Sequence, residues 1–206
     1  MKILVVGGTG IIGKAVVDLL KKEHEVIAIG KNGGDYQVDI ESKSSIKKMF
    51  EDFKDVDGVI STTGMANIGP LNKLTDEDFD LAINNKLRGQ VDLIRVAINN
   101  VKDNGFVVLT TGVAAHKPFP GGSAISMASA GLEGFVKAIE LEKERNIKVN
   151  VVRPVMVTES AELWNLNVPV TVSAADTARV YKAVMELEES AAMYDVPECL
   201  KIIDNK

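Results

Sequence analysis

The feature that most constrains this chain is a glycine-rich turn that directly follows a short apolar run near the start of the sequence. The run is Lys2–Val6, and residues 7–13 then read Gly-Gly-Thr-Gly-Ile-Ile-Gly, with a helical pattern of apolar residues after them. A strand, a glycine turn and a helix in this order are typical of a dinucleotide-binding βαβ unit. Gly7 and Gly10 permit a tight turn and close approach of a pyrophosphate, and Gly13 lets the helix pack on the strand. A tight turn without a ligand is the alternative interpretation.

The composition indicates an ordinary globular protein. The chain has 206 residues, 46% of them hydrophobic and 26% charged, which suits one α/β domain over residues 1–206. The net charge of −5 and the lack of a basic stretch argue against a nucleic-acid partner. The single cysteine, Cys199, fits a reducing compartment. No apolar run reaches the roughly 18–20 residues of a membrane span, and no leader segment is recognisable. We therefore expect a cytoplasmic protein with no membrane partner.

Apolar runs and helical patterns alternate along the whole chain. Such alternation predicts an α/β fold, a Rossmann-type doubly wound parallel sheet of about seven strands with helices on both faces. Ligands of such sheets bind at the carboxyl ends of the strands. The predicted strands span residues 2–6, 25–29, 36–38, 56–61, 105–110, 147–152 and 199–203. The predicted helices span residues 11–22, 42–53, 75–101, 121–144 and 173–188.

Six short segments, taken together and in order, resemble the short-chain dehydrogenase/reductase family over nearly the whole chain. The glycine spacing within the first segment is that of an atypical branch of the family. The resemblance implies that the chain binds NAD(P) and, as in most members, interconverts carbonyls and alcohols. The segments are Gly-Gly-Thr-Gly-Ile-Ile-Gly over 7–13, Val-Asp-Ile over 38–40, Ser-Thr-Thr-Gly over 61–64, Val-Leu-Thr-Thr-Gly over 108–112, Ala-Gly-Leu-Glu-Gly-Phe over 130–135 and Val-Val-Arg-Pro over 151–154.

The residues that the resemblance implies for cofactor binding follow the strands. An acid after the second strand would bond both ribose hydroxyls and select NAD, but residues 30–32 read Gly-Lys-Asn. Lys31 can pair with a 2′-phosphate, which favours NADP over NAD, although an exposed loop lysine is the alternative. Asp39 resembles the acid that accepts from the adenine amino group, with a turn aspartate as the alternative. The full implied set is Gly7, Thr9, Gly10, Ile11, Ile12, Gly13, Lys31, Asp39, Ile40, Ser61, Thr62, Thr63, Gly64, Pro154, Val155, Val157 and Thr158.

The family's usual proton donor is missing from this sequence. Reduction of a carbonyl leaves charge on oxygen, so a general acid must supply a proton. Members of the family usually provide a Tyr whose acidity is raised by a Lys four residues later, a Ser that polarises the substrate oxygen and an Asn that anchors a water. Alignment on residues 130–135 places Ile125 at the Tyr position and Ser129 at the Lys position. Thr111 stands at the Ser position, and Lys86 at the Asn position.

Three groups are candidates for the missing proton donor. Lys86 could act as an acid if desolvation lowered its pKa, but we favour a surface helix lysine; Asn84 and Asn85 precede it, so a shift in register would restore the Asn. His116 could titrate over the pocket, although an exposed loop histidine is the favoured interpretation. Thr111 could hydrogen-bond a substrate oxygen, or its hydroxyl could bond to the backbone. We take Thr111 and Lys86 as the predicted catalytic residues.

The connections after the later strands contain apolar residues that could form a lid. A tryptophan in a long connection is otherwise a core residue or a contact with another subunit. Two histidines and one cysteine at scattered positions predict no metal site. The candidate lid residues are Pro118, Phe119, Pro120, Leu163, Trp164, Leu166 and Val168.

Two hypotheses for function follow. The first is an NADP-dependent oxidoreductase that acts on a small carbonyl or alcohol substrate. The second is a catalytically inactive NADP(H) sensor, which the missing Tyr and Lys would fit; a structural module without nucleotide is less favoured. In relatives the helices that correspond to residues 86–101 and 121–144 pack against another subunit. Ala130, Gly131 and Gly134 would allow such close approach, so the resemblance implies a homodimer or homotetramer.

Overall fold

The computed structural model of the protein describes residues 1–143 and 145–205, and a parallel sheet forms its centre. Seven strands lie in the order β3-β2-β1-β4-β5-β6-β9, and every neighbouring pair in this sheet is parallel. The remaining strands, β7 and β8, form a separate parallel pair. The strands are β1 (Lys2–Val6), β2 (Glu25–Gly30), β3 (Tyr36–Gln37), β4 (Val56–Ser61), β5 (Val101–Thr110), β6 (Lys148–Arg153), β7 (Met156–Val157), β8 (Thr171–Val172) and β9 (Met193–Asp195).

Helices cover both faces of the sheet. Side chains of a strand point alternately to opposite faces, so Leu4 of β1 contributes to one apolar cluster and Ile3 to the other. Residues from α2, α4 and α5 complete the first cluster, and residues from α1, α7 and α8 complete the second. This arrangement confirms the predicted Rossmann-type fold class. The helices are α1 (Ile11–Leu20), α2 (Lys43–Asp52), α3 (Asp76–Leu81), α4 (Gln90–Ala97), α5 (Ser123–Glu140), α6 (Thr158–Leu163), α7 (Ala174–Met185) and α8 (Val196–Ile203).

The predicted last strand over residues 199–203 is wrong, because these residues belong to α8. Cys199, Leu200 and Ile203 pack against the second apolar cluster, a spacing that suits one face of a helix. A proline also lies in the first turn of α8, where a missing N–H costs nothing. The seventh strand of the sheet is instead β9, which pairs with residues 151–153 of β6.

The predicted helix over residues 75–101 begins as expected and ends early. Thr75 and Asp78 form a reciprocal capping box at its start. The chain then continues as α3, a π-helical segment over Ala82–Gly89, and α4, which ends at Ala97. The prediction for residues 98–101 is wrong, because Val101 already pairs with Val56 in the sheet.

The fourth predicted helix, residues 121–144, is confirmed over Ser123–Glu140. Its predicted end, Glu144, lies outside the described residues. Within residues 1–143 and 145–205, no helix combines the length and apolar character needed to cross a bilayer.

Candidate functional site

The glycine turn between β1 and α1 is packed too tightly for side chains at two of its positions. Gly7 has φ +86°, and a Cβ there would lie 2.7 Å from Oγ1 of Thr62. A Cβ on Gly13 would overlap the carbonyl oxygen of Gly7. The N–H of Gly10 closes the turn by donating to that same carbonyl at 2.9 Å. The geometry therefore requires the first and last glycines of the predicted motif.

The first turn of α1 is free of competing groups. Gly10 occupies the cap position, no side chain of the described residues caps the helix, and its first turn has no acidic residue. A helix start of this kind offers N–H groups and a partial positive charge to an anion. Thr9 lies exposed beside Gly30, while Ile11 and Ile12 are half-buried. The site therefore fits a pyrophosphate.

A cluster of charged residues lies at the carboxyl ends of β2 and β3. Nζ of Lys31 is 3.1 Å from Oδ2 of Asp39 and 3.9 Å from Oε1 of Glu41. The N–H of Glu41 donates to Asp39, and together with Lys31 this hydrogen bond lowers the pKa of the Asp39 carboxyl. Ile40 is buried behind this cluster. A phosphate that bound Lys31 would therefore displace two carboxylates from it.

The segment that follows β4 brings small polar residues to the centre of the sheet edge. Ser61 is fully buried and its hydroxyl lies 2.7 Å from Oγ1 of Thr63. The N–H of Thr62 donates to the carbonyl of Val6 at 2.8 Å, which extends the pairing of β4 with β1. Gly64 has φ +131°, and a Cβ there would meet the side chain of Lys86. The backbone at Gly64 therefore lies directly against that lysine.

Lys86 is buried between the carboxyl ends of β4 and β5. Its side chain is on the π-helical segment, the residue is 3% exposed, and Nζ donates to the carbonyl oxygen of Thr111 at 2.7 Å. No carboxylate of the described residues pairs with it. Burial lowers the pKa of the Lys86 amine to about 8. The favoured interpretation of Lys86 as a surface lysine is therefore wrong.

Two neighbours of Lys86 hold the π-helical segment in place. Nε2 of Gln90 donates to the carbonyls of Lys86 and Thr110, and Oε1 of Gln90 accepts from the N–H of Thr110 at 3.1 Å. Asn85 accepts from the N–H of Met65 and donates to Glu41, each at 2.8 Å. The fully buried Gln90 thereby connects the end of β5 to the carbonyl of Lys86 on the π-helical segment.

Thr111 contacts a carboxylate through its hydroxyl. Its Oγ1 donates to Oε1 of Glu133 at 3.0 Å, and both residues are buried. Glu133 in turn accepts two hydrogen bonds from Arg153, one from Nε at 2.7 Å and one from Nη2 at 2.5 Å. The Thr111 hydroxyl proton is therefore engaged, and only its oxygen lone pairs remain to accept a hydrogen bond.

The same network extends to the end of β9. Nη1 of Arg153 lies 3.3 Å from Oδ1 of Asp195, and Nε2 of His116 and Nζ of Lys117 lie 3.1 and 3.2 Å from its Oδ2. Burial raises the pKa of the Asp195 carboxyl, but Lys117, His116 and Arg153 together lower it by more. His116, a candidate proton donor from the sequence, is thus paired with Asp195.

Replacing Glu133 by Gln is expected to lower the free energy of unfolding by about 3 kcal/mol, because it leaves the buried charge of Arg153 without its bidentate partner. The matched control is Asp103→Asn, since Asp103 also pairs with an arginine, Arg145, but is three-quarters exposed. That change should cost less than about 1 kcal/mol. Denaturant unfolding at neutral pH measures both values, and equal losses would contradict the structural role assigned to Glu133.

The predicted cofactor-binding segment after β6 contacts the loop that follows β5. The carbonyl of Pro154 accepts from the N–H of Val113 at 3.1 Å. Val157 is buried in β7, and the hydroxyl of Thr158 donates to that of Thr171 at 3.0 Å. Val155 is half-buried between them. The segment therefore lies beside the ends of β5 and β6.

The two positions that replace the family's usual Tyr and Lys lie on α5. Ile125 is half-buried, and Ser129 is fully buried with a hydroxyl that has no partner among the described residues. Neither side chain carries a titratable group. Gln90, Glu133 and Arg153 were not predicted as site residues, because the partners they contact here lie 20 or more residues away along the chain.

Comparisons with known proteins agree with this geometry. A family model described as enoyl-(acyl carrier protein) reductase matches residues 12–194. Hydroxynaphthalene reductase arp2 of Aspergillus fumigatus is 28% identical over 156 residues, which cover 71% of this chain and 56% of that enzyme. The chain spans about half the length of the curated relatives it matches.

Solved structures extend the similarity to the whole fold. The protein lin1944 from Listeria innocua has a TM-score of 0.89 and 36% identity, covering 95% of this chain and 99% of that one. A small-chain dehydrogenase in complex with NADPH has a TM-score of 0.82 at 22% identity, covering 95% of both chains, which shows the fold alone. The family model and these relatives together show that the chain belongs to the short-chain dehydrogenase/reductase family.

Proposed function

We propose that the protein is an NADP-dependent oxidoreductase acting on a small carbonyl or alcohol substrate, with Lys86 as the proton donor. The observation that carries this proposal is the buried amine of Lys86, which lies between Gly64 and the carbonyl of Thr111. A desolvated amine with a pKa near 8 is protonated at neutral pH and yields its proton readily, as a general acid must.

Each part of the cofactor would contact a different group of the predicted residues. The glycine turn and the start of α1 would hold the pyrophosphate, Asp39 and Ile40 would contact the adenine, and Lys31 would bind the 2′-phosphate. Residues 61–64 and 154–158 would flank the nicotinamide. The NADPH bound by a dehydrogenase of the same fold supports the choice of NADP. When bound, this cofactor supplies the hydride.

The chain's own residues would bind, orient and protonate the substrate. Lys86 donates a proton from Nζ to the substrate oxygen as charge develops there. The carbonyl of Thr111 fixes the direction of that amine, while the Thr111 hydroxyl gives its proton to Glu133 and therefore has none to donate to a carbonyl oxygen. In the alcohol-to-carbonyl direction the neutral amine of Lys86 would accept the proton.

Titration with NADPH, followed by turnover on a panel of carbonyl compounds, tests this function. NADPH binding with turnover is the expected result. Tight binding without turnover on any carbonyl would favour the sensor hypothesis. If neither NADPH nor NADH bound, both the oxidoreductase and the sensor hypotheses would be contradicted.

Replacing Lys31 by Ala is expected to weaken NADPH binding about tenfold and leave NADH binding nearly unchanged, because only NADPH has a 2′-phosphate for a charge-assisted hydrogen bond. Calorimetry with both cofactors measures this. Lys21→Ala is the matched control, since Lys21 also pairs with an aspartate, Asp35, through an exposed salt bridge. An equal loss of affinity for NADPH and for NADH would show that Lys31 does not bind the 2′-phosphate.

The proposal includes a homodimer or homotetramer in the cytoplasm. Met127, Ala130, Gly131 and Gly134 are exposed along one face of α5, where small residues allow another helix to approach closely. The single Cys199 fits a reducing compartment. Sedimentation that shows only monomer at micromolar concentration would contradict the oligomer.

A further inference from the structure

Three connections, which we call the rim segments, follow the carboxyl ends of neighbouring strands β4, β5 and β6. They are residues 62–74, 112–122 and 154–173. The N–H of Gly69 donates to the carbonyl of Gly121 at 3.0 Å, and the N–H of Val113 donates to the carbonyl of Pro154 at 3.1 Å. Backbone hydrogen bonds thus join the first segment to the second and the second to the third. The rim segments therefore form one continuous surface beside Lys86.

Exposed apolar side chains concentrate on the rim segments. Of the fourteen large hydrophobic residues that are exposed among the described residues, eight lie there. Exposed hydrophobic residues scattered singly are normal, but a concentration of them at one place marks a binding surface. The eight residues are Met65, Ile68, Leu71, Phe119, Leu163, Trp164, Leu166 and Val170.

Three of the five ionisable side chains of the rim segments have hydrogen-bond or ion-pair partners in the protein. His116 and Lys117 both pair with Asp195. The carboxylate of Glu159 accepts from the N–H of Ala174 at 2.9 and 3.0 Å. The other two charged residues there, Lys73 and Glu162, have opposite signs. The rim segments contain no arginine, the residue that most often recognises carboxylates and phosphates by paired hydrogen bonds.

From this combination we infer that the substrate is an uncharged carbonyl compound with an apolar body, and that the rim segments bind that body. The inference rests on the proposed function, since it names the substrate class of the same site. Apolar contact area would supply the affinity, and a carboxylate or phosphate on the apolar body would be desolvated among exposed hydrophobic residues, with no arginine of the rim segments to bind it. The substrate would then present to the protein a single polar group, its carbonyl oxygen.

The single tryptophan, Trp164, makes the inference measurable without turnover. It is 59% exposed on the third rim segment, so its fluorescence reports directly on occupation of the surface. The probes are propiophenone and 4-propionylbenzoate, the same aryl ketone without and with a carboxylate at the ring position farthest from the carbonyl. We expect propiophenone to shift Trp164 emission at a concentration at least about tenfold lower than 4-propionylbenzoate, with and without saturating NADP⁺.

Variants of exposed residues locate the binding surface. Leu163→Ser and Phe119→Ser, on the third and second rim segments, should each weaken propiophenone binding several-fold. Leu141→Ser is the matched control, because Leu141 is 89% exposed but lies outside the rim segments, and it should leave binding unchanged. All three side chains are exposed, so their loss should not prevent folding.

Several results would overturn the inference. Equal or tighter binding of 4-propionylbenzoate would show that the rim segments accept a charge, and no emission change with either ketone would show that the surface does not bind this class. Emission that shifts with protein concentration alone, together with sedimentation of a dimer, would show that the rim segments contact a second copy. None of these results affects NADPH binding, whose absence would instead contradict the proposed function.

Discussion

Replacing Lys86 by Met is expected to lower the turnover of a carbonyl substrate about 100- to 10,000-fold, the usual contribution of a positioned general acid. The wild-type rate of reduction should fall above a pH of about 8, where Lys86 loses its proton, and the residual rate of the variant should lack this dependence. Steady-state kinetics with NADPH between pH 6 and 10 measures both effects. Turnover within a few-fold of the wild type would assign proton donation to another group.

The same variant is expected to raise the free energy of unfolding at pH 7. The pKa of Lys86 falls from its ordinary 10.5 to about 8 on folding, so the protonated form is destabilised in the folded state by roughly 3 kcal/mol. Between these values the unfolded chain binds more protons, so wild-type stability should rise with pH from 8 to 10.5. Below pH 8 the full penalty of the buried charge is present, and this group should add no dependence on pH. Methionine removes the charge and retains most of the side-chain volume. The difference in the free energy of unfolding between Lys86→Met and the wild type should therefore shrink as the pH rises from 8 to 10.5.

Lys143 provides the matched control for these measurements. Its side chain is also mostly buried, but its amine lies 2.8 Å from a carboxylate oxygen of Glu140. Lys143→Met should therefore lower the free energy of unfolding and leave turnover unchanged. If both lysine variants changed stability in the same direction, the account of Lys86 as an unpaired buried amine would be wrong.

Replacing Gly13 by Ala is expected to abolish NADPH binding at concentrations that saturate the wild type and to lower the free energy of unfolding by about 3 kcal/mol or more. The added methyl group would overlap the carbonyl of Gly7, so either α1 moves away from β1 or the turn opens. Each change disrupts the packing between the turn and the start of the helix. Fluorescence titration with NADPH and thermal unfolding measure the two effects.

Gly134 is the natural comparison, because it also lies within a helix but a Cβ there meets no atom within 4 Å. Gly134→Ala should raise stability by roughly 0.5–1 kcal/mol, since alanine favours helix. NADPH binding should be unaffected. Loss of binding in both variants would mean that the effect of Gly13→Ala does not arise at the turn.

The sheet was predictable because its longer strands contain short, nearly continuous apolar runs, such as residues 3–6 of β1 and 106–109 of β5. A strand covered by helices on both faces has no polar side, and this pattern, repeated between helices, leaves few other folds. The prediction failed at residues 199–203, where a short apolar run suits a strand or a helix equally. Only the packing of Leu200 and Ile203 on the sheet distinguishes them.

The candidate site was predictable where backbone geometry dictates the residue and was not where distant side chains meet. Gly7 and Gly13 are required by local close contacts, so the sequence marks them. The burial of Lys86 depends on Thr111, 25 residues away, and on an irregular helix that no local pattern announces. Glu133 and Arg153 meet across two elements in the same way. Their charges alone would suggest a surface location.

The π-helical segment over Ala82–Gly89 makes the direction of the Lys86 amine depend on how many residues precede it. A regular helix turns by about 100° per residue, so removal of one residue before Lys86 would rotate its side chain by that angle even if every other residue were kept. A chain that lacked one residue of this helix but was otherwise identical would carry the lysine on another side of the helix. Insertions and deletions here therefore act as a means of changing chemistry without replacing any side chain.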